Sequence, residues 1–211
     1  MDSDTRTRRN CQLNNDKKKS INEQDHSRMK PSTKNGLKCM YTNLDCFNNK
    51  RDELIARISE IKPDIIGLTE VNQKSSTWDL TSSELEVNGY ALFCNLNGRG
   101  SAMYVREGLQ AVSLDVPCKS SVWCTIQLNG RDTLLVAVVY RSPGSTASEN
   151  ESFTEQFKTV MKRKYSHIVI MGDFNYPEID WELLVSSASA NHSFHNFILD
   201  YKDWFLYQHV T

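Results

Sequence analysis

The sequence lacks long apolar runs and paired cysteines, and each absence excludes a class of protein. The longest apolar run, Leu134 to Tyr140, is far too short to cross a bilayer. Met1 to Asn10 is charged and polar where a secretion signal needs an apolar stretch. The six cysteines, at positions 11, 39, 46, 94, 118 and 124, form no CxxC pair and no metal-finger spacing, which favours reduced thiols. We therefore expect an intracellular protein, nuclear or cytoplasmic, that is not secreted and has no membrane partner.

Strong net charge is also absent, because the formal charge of the chain is −1. Residues 1–36 carry nine Lys or Arg against five Asp or Glu, whereas the remainder carries 16 against 21. The mildly acidic remainder argues against a broad nucleic-acid-binding face formed by charge alone. Residues 1–36 contain almost nothing to bury, so we interpret them as a disordered basic and polar leader. Its basic Lys17 to Lys19 run could be a nuclear address or touch phosphates, but a solvated tail is the favoured interpretation.

From residue 37 onward, short apolar runs alternate with helical periodicity, which is typical of sheets covered by helices. The length and the 39% hydrophobic content favour one domain over residues 37–211. Strands are predicted at residues 37–42, 64–70, 91–94, 102–105, 122–128, 133–140 and 167–171, and helices at 148–164 and 191–201. A further helix is predicted to be capped by Asn48 and Asn49 and closed by Pro63. The three strands at 102–105, 122–128 and 133–140 are interpreted as an antiparallel meander.

Three predicted strands end on polar residues, at Asn43, Glu70 and Asp173. Sites commonly form where strand ends meet, because loops there bring polar groups together over a rigid floor. Asp45 follows Asn43 by two residues, and Asn175 follows Asp173 by two, so in extended segments the members of each pair would share a face. Carboxylates and amides, with water and a substrate phosphate, are the usual ligands of Mg²⁺. The pattern therefore indicates metal-assisted attack of water on phosphorus.

Each of these signals also has a structural interpretation. Gly172 to Asn175 fits an Asx-type turn at the end of a strand, which local evidence alone would favour. Glu70 could cap a strand, Asn43 is a common turn residue, and Tyr140 could be a half-buried aromatic with its hydroxyl at the rim. Arg141 fits either a phosphate contact or a surface ion pair. The combination of polar strand ends favours the functional interpretation.

Four segments carry a resemblance to a known family. They are residues 37–71 (LKCMYTNLDCFNNKRDELIARISEIKPDIIGLTEV), 102–107 (AMYVRE), 138–143 (VVYRSP) and 168–181 (IVIMGDFNYPEIDW). Their order and separations resemble the endonuclease/exonuclease/phosphatase superfamily, and within it the apurinic-like endonuclease domain of non-LTR retrotransposons. The resemblance implies a four-layer α/β sandwich, with two mixed or antiparallel sheets flanked by helices.

The resemblance also implies roles for individual residues. Glu70 would be the principal ligand of Mg²⁺, with Mn²⁺ as the alternative ion. Asn43 would help bind the metal or the scissile phosphate, and Asp45 falls where some relatives have an acidic residue near the metal. Asp173 would orient and deprotonate the attacking water. Two further residues complete the implied set: Tyr140 would donate its phenol to the phosphate, and Asn175 would hold the water or a phosphate oxygen.

One family motif is missing from the sequence. In the family, further strands lead to a Ser-Asp-His motif whose His contacts the phosphate, and no Ser-Asp-His tripeptide occurs here. We therefore expect the domain at residues 37–211 to be incomplete at its C-terminus, with the terminal strands missing and the activity impaired or absent.

Three functions are compatible with these expectations. The first is Mg²⁺-dependent phosphodiester hydrolysis, in which a retrotransposon-type endonuclease nicks the DNA phosphate backbone. A longer polyprotein with a reverse transcriptase domain is one form of this hypothesis. The second is a non-catalytic retroelement remnant or interaction module. The third is a superfamily phosphatase or RNA exonuclease. The contexts YTN, LTEV and YRSP favour the retroelement type over the third by resemblance.

Overall fold

The computed structural model describes residues 36–74, 80–116, 121–186 and 193–209. The predicted leader at residues 1–36 therefore lies almost wholly outside the described residues. The strands are β1 Cys39–Asn43, β2 Ile65–Thr69, β3 Tyr90–Asn95, β4 Ser101–Arg106, β5 Gln110–Ser113, β6 Ser121–Gln127, β7 Thr133–Tyr140, β8 His167–Asp173, β9 Ile179–Asp180 and β10 Val185–Ser186. The helices are α1 Phe47–Ile61, α2 Ala147–Met161 and α3 Ser193–Asp203, and a 3₁₀ turn lies at Ser82–Leu85.

Two four-stranded mixed sheets form the centre of the fold. The first has the order β1-β2-β4-β3 and the second the order β5-β6-β7-β8, while β9 and β10 form a small separate pair. β1 is parallel to β2 through α1, and β7 is parallel to β8 through α2, whereas the other pairs within the two sheets are antiparallel. The carboxyl ends of β1, β2, β7 and β8 are therefore the natural places for a site.

The hydrophobic core has three layers, which makes the fold a four-layer α/β sandwich. Nine buried side chains from both sheets fill the middle layer: Ile65, Met103, Val105, Val122, Cys124, Ile126, Leu134, Val136 and Val138. On the outer face of the first sheet, Phe47, Leu54 and Ile58 of α1 pack against the strands. On the outer face of the second sheet, Phe157 of α2 and Phe197 of α3 do the same. The fold class predicted from the sequence is confirmed.

Local signals explain where the two long helices begin and end. α2 begins with a capping box, in which Thr146 accepts from the Glu149 N–H at 3.3 Å and the Glu149 carboxylate accepts from the Thr146 N–H at 2.7 Å. α1 ends on Lys62 in the left-handed conformation, immediately before Pro63. The predicted cap at Asn48 and Asn49 is wrong, because the helix already begins at Phe47.

The predicted meander is also wrong. β4 pairs with β2 and β3, whereas β6 and β7 belong to the other sheet. Besides β7, β6 pairs with β5, a four-residue strand with mostly exposed side chains that the sequence pattern did not show. β4 is buried along most of its length, so its apolar run suits the middle of either sheet, and strand content alone did not distinguish them.

Two findings bear on the predictions made from sequence absences. In the described part of the chain, no helix combines the length and the apolar character that a membrane crossing requires. Cys39, Cys46, Cys94 and Cys124 are all free thiols.

Candidate active site

The carboxyl ends of four strands bring together the polar side chains of the candidate site. Asn43 ends β1, Glu70 follows β2, Tyr140 ends β7 and Asp173 ends β8. The Asn43 amide nitrogen lies 3.1 Å from Oε1 of Glu70 and 3.4 Å from Oδ2 of Asp173. Tyr140 and Asp173 are register partners in the second sheet. One amide thus joins carboxylates that belong to opposite sheets.

The backbone at Glu70 is fixed by the loop that leads into α1. Glu70 has a positive φ of 55°, which is uncommon for a residue with a side chain. Its carbonyl accepts from the Cys46 N–H at 2.9 Å, and the neighbouring Thr69 carbonyl accepts from Leu44 N–H at 3.0 Å. These bonds hold the strained residue in place, a situation that is frequent at functional sites.

The Glu70 carboxylate is paired with Arg99, a residue that the sequence interpretation missed. Nε of Arg99 lies 3.1 Å from Oε2 of Glu70, and a second guanidinium nitrogen, NH2, contacts the same oxygen. NH2 also lies 2.5 Å from Oδ1 of Asp45. The Arg99 and Glu70 side chains are 16% and 18% exposed, whereas Asp45 is 82% exposed. The guanidinium therefore sits between an inner and an outer carboxylate.

Two pKa shifts report the electrostatics around Glu70. Partial burial alone would raise the pKa of Glu70, but hydrogen bonds from Arg99 and Asn43, with the charge of Arg99, outweigh it and lower the pKa. The pKa of Tyr140 is raised by burial, by the charge of Glu70 and by a hydrogen bond to that carboxylate. The arrangement keeps an ionised carboxylate beside a protonated phenol, which can act as a hydrogen-bond donor.

Tyr41 is a second residue of the site that the sequence interpretation did not single out. Its hydroxyl lies 2.9 Å from the hydroxyl of Thr69. Burial, together with the charges of Asp173 and Glu70, raises the pKa of Tyr41 to about 12. Because Tyr41 precedes Asn43 by two residues on β1, strand alternation could have placed both side chains on one face.

Gly172 explains how β8 delivers Asp173 to the site. Its φ of 152° is open mainly to glycine, and a Cβ there would overlap the Val139 carbonyl oxygen and lie 2.8 Å from the carbonyl carbon. The Arg141 N–H donates to the Asp173 carbonyl at 2.8 Å, which continues the pairing of β7 and β8 past the last register pair. The close backbone approach thus requires glycine immediately before the carboxylate.

Asn175 differs from the prediction in its backbone conformation. The strand ends at Asp173, and Asn175 has a positive φ of 48°, so the prediction of an extended 173–175 segment is wrong. The Asn175 amide nitrogen donates to the Arg141 carbonyl at 2.8 Å. Asn175 is thus a left-handed residue whose amide is bonded to the residue that follows β7.

Arg141 is not the surface ion pair that one sequence interpretation allowed, and its contact with a phosphate stays a prediction. The residue is buried, at 7% exposure, and its Nε donates to the Asn150 side chain of α2 at 2.7 Å. NH1 donates to the carbonyl of Asn175, and the guanidinium carbon lies 3.9 Å from the centre of the Tyr176 ring. Arg141 therefore anchors the loop after β8 to α2.

The side chains around Glu70 suit a hard cation, although they form an incomplete shell. In residues 36–74, 80–116, 121–186 and 193–209, no three His, Cys, Asp or Glu side chains converge as a metal-binding group. Glu70 and Asp45 nevertheless converge on one positively charged group, the guanidinium of Arg99. Mg²⁺ commonly takes only one or two carboxylates and fills its other positions with water and phosphate oxygens. The donor chemistry therefore fits Mg²⁺ or Mn²⁺ with few protein ligands.

Comparison with known families agrees with this geometry. The profile of the endonuclease/exonuclease/phosphatase family matches residues 40–210, which include all six predicted site residues. The chain belongs to the endonuclease/exonuclease/phosphatase family. No curated protein matches its sequence.

Several solved structures share the fold of this chain, although their sequence identity to it is low. The endonuclease domain of TRAS1, a telomere-specific non-LTR retrotransposon, is 15% identical with a TM-score of 0.58, over 80% of this chain and 72% of that one. The AP endonuclease LMAP from Leishmania major is 14% identical with a TM-score of 0.59, over 79% and 66%. The 3'-5' exonuclease NExo from Neisseria meningitidis is 18% identical with a TM-score of 0.54, over 78% and 71%. These similarities establish the fold, and the family establishes a hydrolase fold of the nuclease and phosphatase type.

Proposed function

We propose that the chain is a Mg²⁺-dependent phosphodiesterase of the retrotransposon endonuclease type, which nicks DNA. The observation that carries the proposal is the position of the Asn43 amide, within reach of both Glu70 and Asp173, with Tyr140 hydrogen-bonded to the same Glu70 carboxylate. Phosphoryl transfer depends mainly on positioning and on stabilising charge, and the cluster offers carboxylates and neutral donors around one point.

The metal is proposed to bind at Glu70. Asp45 would face it from the exposed side, and the ion could be Mg²⁺ or Mn²⁺. When bound, a divalent ion at this place would polarise a phosphate oxygen. The Asn43 side chain turns its nitrogen towards Glu70 and Asp173, while its Oδ1 accepts from the Asp45 N–H at 3.1 Å. Of the two roles predicted for Asn43, the geometry therefore favours donation to phosphate over metal ligation.

The remaining roles concern water and the developing charge. Asp173 is proposed to orient the attacking water and accept its proton. Tyr140, which stays protonated because of its raised pKa, is proposed to donate to a phosphate oxygen as charge accumulates there. One N–H of the Asn175 amide is already bonded to the Arg141 carbonyl, which ties the side chain to the segment after β7. We propose that Asn175 supports the turn that follows Asp173 instead of holding the water.

DNA is proposed as the substrate because of two solved structures with a similar fold. One similar structure is a 3' phosphatase from Neisseria bound to a product DNA hairpin, with a TM-score of 0.52, and another is a retrotransposon endonuclease domain. A reverse transcriptase domain in a longer parent polyprotein belongs to the same proposal. A phosphatase or an RNA exonuclease remains the alternative within the family.

We propose that the 211 residues nick DNA at a low rate. The family's Ser-Asp-His motif is absent from the sequence. Loss of one preorganised donor typically costs about a hundredfold to a thousandfold in rate. A non-catalytic interaction module is therefore the second candidate. Within the described residues, β1 and β8 lie at the edges of their sheets, and this favours the module because unpaired strand edges accept extended partners.

A plasmid-nicking assay tests the proposal. The chain, Asp173→Asn and Asp132→Asn would each be incubated with supercoiled plasmid and Mg²⁺, and conversion to open circles measured. Asp132 is a matched control, because it is an exposed carboxylate at the amino end of β7, opposite the site. We expect slow nicking that Asp173→Asn reduces by about a hundredfold or more and that Asp132→Asn leaves unchanged.

Other results would reject the nuclease proposal. Nicking that survives Asp173→Asn would point to a contaminant. Complete absence of nicking, in a folded chain with Mg²⁺ or Mn²⁺, would favour the interaction module. Release of phosphate from a monoester substrate without nicking would favour the phosphatase alternative.

A further inference from the structure

Arg99 occupies the place at the candidate site where the charge of a metal ion would be needed. Its guanidinium contacts Oε2 of Glu70 through two nitrogens and Oδ1 of Asp45 through one of them. The other oxygen of Glu70 already accepts from Asn43. Both oxygens of the main carboxylate therefore have protein donors, and a cation that binds Oε2 must compete with Arg99.

The position of Arg99 is fixed by its own backbone and by the segment after Glu70. NH1 of Arg99 donates to the Asn72 carbonyl at 2.9 Å, and the Asn72 N–H donates to the Arg99 carbonyl, also at 2.9 Å. The Asn72 amide further donates to the carbonyls of Leu96 and Gly98, at 2.7 and 2.9 Å. The β3–β4 hairpin loop is thus attached to the strand end that carries Glu70.

Gly100 permits this close attachment. With a φ of 72°, it lies where a Cβ would come within 2.6 Å of a methyl group of Val71. A residue with a side chain would push the loop away from β2, and Arg99 would move with it. The loop therefore holds Arg99 against Glu70 by geometry as well as by charge.

Electrostatics explains why a cation is needed here even without a metal. The Glu70 and Asp173 carboxylates both approach the Asn43 amide nitrogen, and the Glu70 and Asp45 carboxylates both contact the Arg99 guanidinium. Carboxylates brought together in this way repel one another unless a positive group lies between them. An arginine hydrogen-bonded to a carboxylate is a strong, directional counter-ion. It is also displaceable, because a divalent ion brings twice the charge.

We propose that Arg99 is a resident counter-ion that holds the Glu70 and Asp45 carboxylates together in the metal-free chain and that a divalent metal must displace. This inference rests on the proposed metal site and adds to it a positioning residue that sets the metal affinity. Arg99 preserves the arrangement of the carboxylates at the cost of weaker metal binding.

Binding of Mn²⁺, measured from the electron paramagnetic resonance signal of the free ion, tests the inference without requiring activity. The chain would be compared with Arg99→Gln, Arg99→Lys and Glu70→Gln. Arg106→Gln is the matched control, because Arg106 pairs with Asp64 at 3.1 Å at the other end of β4. Circular dichroism would establish that every variant is folded.

We expect Arg99→Gln to bind Mn²⁺ roughly tenfold more tightly than the unchanged chain, since the ion no longer breaks charged hydrogen bonds. Arg99→Lys, which keeps the charge and loses the two-nitrogen contact, should fall between them, and Arg106→Gln should match the unchanged chain. Without metal, Arg99→Gln should melt at a lower temperature than the unchanged chain. Added Mn²⁺ should raise the melting temperature of Arg99→Gln by more than it raises that of the unchanged chain.

The outcomes separate this inference from the proposed function. If Glu70→Gln weakens Mn²⁺ binding but Arg99→Gln leaves it unchanged or weaker, Arg99 is not the competitor and the metal site stands. Equal tightening by Arg99→Gln and Arg106→Gln would reduce the effect to overall charge and overturn the inference. If Glu70→Gln has no effect on Mn²⁺ binding, the metal site itself fails and the role of Arg99 fails with it.

Discussion

The two β-α-β units of the sandwich contribute equally to the candidate site but are stabilised in different ways. The first unit, β1-α1-β2, supplies Asn43 and Glu70, and the second, β7-α2-β8, supplies Tyr140 and Asp173. An arginine braces each strand end. Arg99 comes from the β3–β4 loop and binds carboxylates at the first unit, whereas Arg141 of the second unit binds backbone carbonyls, an amide and an aromatic ring.

The difference separates a functional arginine from a structural one. The partners of Arg141 are neutral and mostly part of the backbone, so they offer a cation no opposite charge, and loss of Arg141 leaves buried acceptors unpaired. The partners of Arg99 are anions that another cation can bind. The charge of the partners, more than the burial of the arginine, thus indicates which arginine another cation can replace.

The largest expected effect comes from disturbing the second unit at Gly172. Gly172→Ala places a Cβ against the Val139 backbone, which cannot rotate away, and should destabilise the fold by about 3 kcal/mol or more. Gly67→Ala in the first unit meets only side-chain atoms, at 3.0 Å from Val138 and 3.1 Å from Met171, and should cost about 1 to 2 kcal/mol. Urea denaturation measures both, and equal costs would refute the backbone clash.

An intermediate effect is expected from exchanging the two arginines for methionine. Arg141→Met should destabilise the chain by about 3 kcal/mol, since it leaves a buried amide and carbonyls without a donor. Arg99→Met should lower the stability by only about 1 kcal/mol. Asp45 is exposed to water, and Glu70 keeps its hydrogen bond from Asn43. Urea denaturation tests this pair of variants, provided that the dependence of the unfolding free energy on urea concentration is the same for both, so that the midpoints can be compared directly. A larger loss for Arg99→Met would remove the distinction drawn between the units.

The smallest effect is a change in how stability depends on pH. The pKa of Glu70 is lowered in the folded chain, so its contribution is present above the unfolded pKa, about 4.3, and is lost as the pH falls through the folded value. Arg99→Gln removes part of the lowering. The stability difference between the chain and this variant should therefore shrink as the medium becomes more acidic than about pH 4, by under about 1 kcal/mol. A difference that stays constant across that range would show that Glu70 does not depend on Arg99.

Alternation and periodicity were sufficient to predict the long elements of the fold. The runs that became β2, β7 and β8 are apolar and bounded by turns or by Pro63, and α1 and α2 carry apolar residues at helical spacing. The short exposed β5 has neither signal, and without it β4 was assigned to the wrong neighbours. Pairing depends on contacts between distant segments, which a local pattern does not contain.

The candidate site was predictable to the extent that it lies at strand ends. Each parallel unit ends its strands on polar residues, and the carboxyl ends of parallel strands lie at the same edge of a sheet. This brings together Asn43, Glu70, Tyr140 and Asp173. Arg99 was not predictable in this way. It lies in a hairpin turn 29 residues after Glu70, and only the attachment of that turn to β2 brings it to the carboxylate.

The Asn43 contact with Asp173 joins residues 130 positions apart in the chain. In kinetic terms, such a contact can form only after almost the whole domain has been synthesised and both sheets have closed on each other, because distant pairings require the largest loss of chain entropy. A folding intermediate that has built either β-α-β unit alone contains half of the polar cluster. An intact cluster therefore reports that both units have formed and that the two sheets have met.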